Sequence, residues 1–281
     1  MENEGFKVKI LGVNGSARHA NTETAVQIAL KAAEDTGYAQ TDYLCLGDYD
    51  LRPCTGCMKC FGWQAPDDGK VYCREFNDGF GEILERVMAS DAMLFGAPVY
   101  VMGVNALSRV FMEKMHMAGY FSVTPYYGRL THRPVGLITV AGQSGHEQIL
   151  PHMYDWAIGL GMMPMTAPPR PPDTLPVTSV NGGPVVAVDA KSIYAKNAIT
   201  KAGTRTIPPT QGSRNERTLR NLAKNVVEMA LIVKAGKEEL AKKGIKLPEI
   251  FSFKKYSVKP KRGSFVEKLM KEGKLQYVST K

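Results

Sequence analysis

Apolar positions along the first 167 residues switch repeatedly between two periods. Lys7 to Asn14 contains the run Ile10-Leu11-Gly12-Val13, the kind of stretch shown by a strand buried on both faces. After a Gly15-Ser16 turn, Ala25, Ile28, Ala29 and Ala32 recur at helical spacing within Thr22 to Glu34. Tyr43 to Leu46 predicts a short second strand. Phe80, Ile83, Leu84, Val87 and Met88 then repeat three and four residues apart, as on the buried stripe of an amphipathic helix. A strand over 92–97, a helix over 105–117, a strand over 134–141, a helix over 149–160 and a fifth strand over 162–166 complete the series. Parallel neighbours need crossover connections, so five strands separated by helices predict an α/β fold with a doubly wound five-stranded parallel sheet. Ligands of such sheets bind beyond the carboxyl ends of the strands, and the loops starting near Gly15, Leu46, Ala97 and Ala141 should therefore converge on one site.

The alternation stops at Ala167. Pro168, Pro169, Pro171, Pro172, Pro176, Pro184, Pro208 and Pro209 deny both helix and central strand, so 167–212 reads as a Pro-rich excursion or lid. Helical periodicity returns in Leu219, Leu222, Val226, Val227, Ala230 and Leu231, which predicts that 213–245 adds a helix to the domain formed by 1–166. The remainder, 246–281, is a basic extension. Its Phe251, Phe253, Phe265, Leu269 and Leu275 are expected to pack on the domain or on a second subunit.

Charge changes this picture in one respect. The net +9 is uneven: residues 1–190 balance to −6 and residues 191–281 to +15. A basic block suits nucleic acid, an anionic surface or an acidic protein, but interleaved stacking aromatics and any nucleic-acid motif are missing. No run reaches the ~20 apolar residues of a membrane span, and the start Met1-Glu2-Asn3-Glu4 is acidic where an export signal is basic. A cytoplasmic protein is expected. Three of the five cysteines fall within seven residues, which favours ligand thiols in a reducing compartment over disulfides.

Two segments carry candidate chemistry. Gly15-Ser16-Ala17-Arg18-His19-Ala20-Asn21-Thr22 lies between the first strand and the first helix. A phosphate there would meet loop and helix N–H groups, the hydroxyls of Ser16 and Thr22, the amide of Asn21 and the charge of Arg18. The segment lacks G-x-G-x-x-G and any Gly-Lys pair, which favours a phosphomonoester over a pyrophosphate. Capping of the helix by Asn21 or Thr22 is the plainer alternative. The second segment is Cys54-Thr55-Gly56-Cys57-Met58-Lys59-Cys60 with Cys73 beyond a gap of twelve residues in which Gly62, Pro66 and Gly69 suggest an inserted loop. Three closely spaced thiolates with a fourth from a returning chain suit a [4Fe–4S] cluster. Zinc, which commonly uses two separated Cys-x-x-Cys knuckles, and metal-free redox thiols both remain open. Cys45 reads as a small buried hydrophobe.

Gly-Ser-x-Arg-x-x-Asn-Thr, then the cysteine cluster, then Gly96-Ala97-Pro98-Val99-Tyr100 with Gly103, resembles the NADPH-dependent FMN reductase superfamily of flavodoxin-like fold, and within it the iron–sulfur flavoproteins. The resemblance covers about 7–165 and again 213–240, departing at Ala17 and Glu23, where the family often has Pro and Ser, and in the longer gap before Cys73. It implies FMN, with Ser16, Arg18, Asn21 and Thr22 on its phosphate, Ala97, Pro98, Val99, Tyr100 and Gly103 bordering the isoalloxazine, and Gly142, Gln143 and Gly145 as the third flavin loop. It also implies Cys54, Cys57, Cys60 and Cys73 as the ligands of a [4Fe–4S] cluster.

His146 and Glu147 follow the fourth strand and are candidate proton donors. His116, His132 and His152 read as structural. Met112, Met115, Met117, Tyr120, Phe121, Tyr126 and Tyr127 could roof a planar acceptor or form a dimer surface, although Met at helical spacing more often marks core. The expected function is an FMN-dependent iron–sulfur oxidoreductase. It would take electrons from ferredoxin or NAD(P)H, reduce a small-molecule acceptor and form a homodimer or homotetramer, the basic third suiting an acidic ferredoxin. A cluster-free NAD(P)H-dependent FMN or quinone reductase is the second reading. The third is a non-catalytic carrier or binding module.

Overall fold

In the computed structural model the chain is described over residues 6–61, 64, 73–119, 130–141, 145–167, 214–246, 255–256 and 259–279. The elements are β1 (Val8–Asn14), α1 (Asn21–Glu34), β2 (Ala39–Cys45), a 3-10 turn (Leu46–Asp48), α2 (Phe80–Ala89), β3 (Ala92–Tyr100), β4 (Gly103–Val104), α3 (Ala106–Gly119), β5 (Pro134–Val140), α4 (His146–Gly159), β6 (Met163–Met165), α5 (Arg214–Lys242), β7 (Lys255–Tyr256), α6 (Phe265–Lys271) and β8 (Gln276–Tyr277). Strands β2-β1-β3-β5-β6 form a parallel sheet in that order, and β4 adds antiparallel to the end of β3. The expected doubly wound arrangement is present, with its order reversing between β1 and β3.

Alternate residues of the central strands feed opposite faces. Val8, Ile10, Ala92, Leu94, Ile138 and Val140 pack with α1 and α5, against Ala25, Val26, Leu30, Leu222 and Val226. Leu11, Val13, Met93, Phe95, Val135 and Leu137 pack on the other face with α2, α3 and α4. There Phe95, Phe111 and Trp156 form a tilted trio with centroids 5.2–6.0 Å apart, and the Trp156 indole donates to Met112 O at 3.0 Å. Each such buried side chain contributes about 1.5–3 kcal/mol.

Several sequence expectations are corrected. β2 begins at Ala39, four residues before the apolar signal, because this edge strand alternates buried and exposed positions. β3 runs through Pro98 to Tyr100 instead of ending at Ala97; Pro98 stands at the last pair of the β3–β5 ladder, where its missing N–H costs least. α4 starts at His146 rather than Ile149 and accommodates Pro151. Met112 and Met115 are core residues, not the roof of an acceptor site. Within the basic C-terminal residues a two-stranded sheet and a short helix form. Parallel β7 and β8 flank α6, whose Val266, Leu269 and Met270 pack with Leu275, so these side chains cover one another. The α6 start is held by Ser264 Oγ, which accepts from Glu267 N at 3.2 Å. The expected excursion beyond Ala167, the insertion at Gly62, Pro66 and Gly69, the aromatics at 120–127, and Phe251 and Phe253 lie outside the described residues. No helix of the described residues is long and apolar enough to cross a membrane.

Candidate functional site

Because β1, β2, β3 and β5 are parallel, the loops that follow them leave the same edge of the sheet. Direct bonds knit these loops together. Gly15 N donates to Gly96 O of β3 at 2.7 Å, and Gly15 O accepts from Asn105 Nδ2 at 2.8 Å and Ser108 Oγ at 3.0 Å. A Cβ on Gly15 would stand 2.0 Å from Ser108 Oγ and 2.8 Å from Gly96 O, so only glycine fits.

The loop from Gly15 to Ala20 is shaped from below by Asn14, which is fully buried at the end of β1. Its Oδ1 accepts from Ser16 N at 3.0 Å, while its Nδ2 donates to Tyr43 OH at 3.3 Å and Cys45 Sγ at 3.2 Å. Ser16 Oγ in turn accepts from Arg18 N at 3.0 Å. Asn14 and Ser16 thus bend the chain by side-chain-to-backbone bonds within two residues. The cap position of α1 is Ala20, with no side-chain cap, so the helix begins at Asn21 and neither Asn21 nor Thr22 is its cap. A helix start with no side-chain cap leaves backbone N–H groups that suit an anion. Ser16, Arg18, Asn21 and Thr22 all belong to this one turn, Ser16 and Thr22 buried and Arg18 exposed.

Glu23 is directed sideways. Its Oε1 accepts from Tyr43 OH at 3.0 Å and meets His19 Nδ1 at 3.2 Å, while His19 Nε2 meets Asp48 Oδ1 at 2.9 Å. The hydrogen bonds and charges of Asp48 and Glu23 raise the His19 pKa above its ordinary value. His19, Cys45 and Asp48 bring one potential ligand atom each within 4.8 Å, but these atoms already satisfy one another and their neighbours. Cys45 donates to Ser16 O at 3.4 Å, and burial raises its thiol pKa.

The second wall is the β3–β4 hairpin, in which Val99 pairs with Val104 and Tyr100 with Gly103. Its two turn residues, Val101 (φ 48°) and Met102 (φ 61°), both occupy the left-handed region, a turn that ordinarily takes Asn-Gly. Backbone strain of about 1–3 kcal/mol per residue falls on Val101 and Met102. Val101 is fully exposed, with Tyr100 and Met102 half-exposed beside it. The tip leans on Gly145, where a Cβ would stand 2.7 Å from Val99 Cγ1. Next to it His146 Nδ1 shares a 2.8 Å hydrogen bond with the buried Thr139 hydroxyl, which fixes the ring against β5. Gly142, Gln143 and the Glu147 side chain lie outside the described residues. His152 and His116 have lowered pKa values, first by burial and then by Arg109, and His132 sits in the turn that meets Gly161.

The thiol loop follows β2. Cys54 and Cys57 are exposed, whereas Cys60 and Cys73 are half-buried. Burial first, and then the Cys54, Cys73 and Cys57 thiolates, push the Cys60 thiol up to about 11, so all four sulfurs share one electrostatic neighbourhood. At neutral pH that shift favours the protonated thiol. Gly56 N donates to Cys54 Sγ at 3.4 Å, and Lys59 pairs with Glu75 to tie the cysteine triplet to the Cys73 limb. Among the described residues no three of these sulfurs come within 4.8 Å of one another, whereas zinc bonds of about 2.3 Å hold tetrahedral sulfurs about 3.8 Å apart.

Asn14, Asn105 and Ser108 were not singled out from the sequence. A polar residue closing an apolar strand immediately before Gly-Ser was the available signal for Asn14; the other two act across ninety residues or more and left none.

Comparison with known proteins adds the following. A family model for NADPH-dependent FMN reductase matches residues 8–168. An iron–sulfur flavoprotein of Methanocaldococcus jannaschii is 34% identical over 108 residues, which span 38% of this chain and 51% of that protein. An iron–sulfur flavoprotein of Archaeoglobus fulgidus is 22% identical over 214 residues, 75% of this chain and 99% of that one. Among solved structures, RosB with bound 8-demethyl-8-formylriboflavin-5'-phosphate superposes with a TM-score of 0.54 at 14% identity, covering 87% of this chain and 89% of that chain, a likeness of fold.

Proposed function

Because the chain belongs to the NADPH-dependent FMN reductase family and is a flavin-dependent oxidoreductase, we propose that it is an iron–sulfur flavoprotein. It binds FMN and a [4Fe–4S] cluster and moves electrons from ferredoxin or NAD(P)H to a small acceptor. One observation carries this reading: the polar loop before α1 and the loop that holds Cys54, Cys57 and Cys60 follow the parallel strands β1 and β2 at the same edge of one sheet. Bound FMN supplies electron exchange in pairs or singly, and an iron–sulfur centre supplies it singly.

The protein's part is to hold and orient. Ser16, Arg18, Asn21 and Thr22, with the α1 start, grip the phosphate. Ala97 to Tyr100, Gly103 and the Gly142, Gln143 and Gly145 loop border the ring. Asn105 Oδ1, buried and without a hydrogen-bond partner, offers an acceptor beside the loop, which suits a hydroxyl-bearing ligand. His146, anchored through Nδ1 by Thr139, has Nε2 as the ring atom left to exchange a proton, with Glu147 next to it. Cys54, Cys57, Cys60 and Cys73 hold the cluster. The homologous proteins named as iron–sulfur flavoproteins support this assignment.

Visible absorption of anaerobically purified protein tests the reading. Flavin bands over a broad brown shoulder are expected; flavin without iron would reduce it to a cluster-free flavin reductase, and a colourless protein that binds neither would end it. Arg18→Ala should weaken FMN binding by about 1–3 kcal/mol, the worth of a charge-assisted hydrogen bond, read by fluorescence titration. The raised pKa of His19 predicts a pH effect of fixed sign. Its contribution to folding is complete below its unfolded value of 6.5 and is lost as pH rises through the folded value. FMN affinity should fall over the same interval as positive charge leaves the phosphate loop, and His19→Gln should flatten that profile.

A further inference from the structure

A buried ion pair lies beneath the thiol loop. Lys114 Nζ and Asp78 Oδ2 are 2.6 Å apart with side chains only 2% and 3% exposed. Asp78 Oδ2 also accepts from Arg52 N at 2.9 Å, and Asp78 Oδ1 accepts from Phe80 N at 3.3 Å. The ammonium is flanked by the Phe76 and Phe80 rings, 5.5 and 5.6 Å from their centroids. A single carboxylate therefore fastens the chain two residues before Cys54, five residues after Cys73 and at the first residue of α2.

Lys114 belongs to α3, and Ser108 in the first turn of that helix, with Asn105 immediately before it, holds Gly15 O of the phosphate loop. Six residues separate Ser108 from Lys114, a rise of about 9 Å. One rigid helix thus grips both loops. Two buried charges are a costly way to make such a joint, because apolar residues of similar volume are often as stable or more so; in some proteins such a pair serves to impose a specific arrangement.

We propose that Asp78 and Lys114 are positioning residues for the thiol loop: their pair fixes the four cysteines relative to the phosphate loop through α3. This inference does not rest on the iron–sulfur reading.

The test uses the full chain. In metal-free protein, thiol labelling with iodoacetamide, resolved by mass spectrometry, reports each cysteine separately. In the double variant Asp78→Leu/Lys114→Met, which removes both charges and keeps apolar bulk, Cys60 and Cys73 should label at least tenfold faster than in the wild type. Cys45 should be unchanged and the thermal transition retained. Unaltered labelling of Cys60 and Cys73 would overturn the positioning role. Accelerated labelling in a protein that takes up no iron would support the joint while removing the cluster reading, so the two failures are distinguishable.

Discussion

Cys57→Ser should strip the protein of iron and acid-labile sulfide while leaving FMN bound. Cys57 is exposed and lies between two residues with left-handed backbone, Gly56 and Met58, so its sulfur contributes nothing to the core and its loss costs little stability. The phosphate loop is built from Asn14, Ser16 and Gly15 with partners on β2, β3 and α3, none of which belongs to the 54–73 segment. Flavin occupancy and iron occupancy should therefore separate in this variant. Cys60→Ser should lose iron as well but also lose stability, since Cys60 packs on the core. Cys45→Ser is the opposite control: its thiol bonds Asn14 and Ser16, so iron should stay and FMN affinity should drop. Iron content equal to that of the wild type in Cys57→Ser would remove this cysteine from the ligand set.

Parts of this architecture were legible in the sequence for clear physical reasons. A parallel sheet covered on both faces forces continuous apolar runs, so the middles of β1, β3 and β5 announce themselves. The edge strand β2 has one wet face, and Gln40 and Asp42 conceal its first half. The hairpin after Tyr100 was hidden because Val101-Met102 carries none of the residues that usually mark such a turn, and Pro98 reads as a break although the ladder continues through it. Ser16, Arg18, Asn21 and Thr22 could be singled out as candidates because a helix start is a local feature, and the thiols because their spacing is. The joint between Asp78 and Lys114 could not. Charged residues default to the surface, and nothing in a linear reading says that two of them, thirty-six residues apart, meet inside the protein. The same limit hid the grip of Asn105 and Ser108 on Gly15.

Gly15→Ala should reduce FMN affinity by about 3 kcal/mol or more, beyond a hundredfold, by displacing the whole phosphate loop. The added methyl would stand 2.0 Å from Ser108 Oγ and 2.8 Å from Gly96 O, and the second contact is backbone that cannot rotate away. Relief requires the loop to lift from β3, which breaks the 2.7 Å bond from Gly15 N to Gly96 O and pulls Gly15 O from Asn105 and Ser108. Overpacking alone costs about 1–3 kcal/mol, and each buried polar group left without its partner adds about 1–3 kcal/mol. The displacement moves Ser16 and Arg18 with the loop, because Arg18 N is held by Ser16 Oγ. Adding Ser108→Ala to Gly15→Ala removes the nearer clash and should restore part of the affinity, but not all, since Gly96 O remains in the way. Isothermal titration with FMN alongside thermal unfolding would separate loop displacement from general instability. Wild-type affinity in Gly15→Ala would show that FMN does not depend on the seam between the phosphate loop and β3.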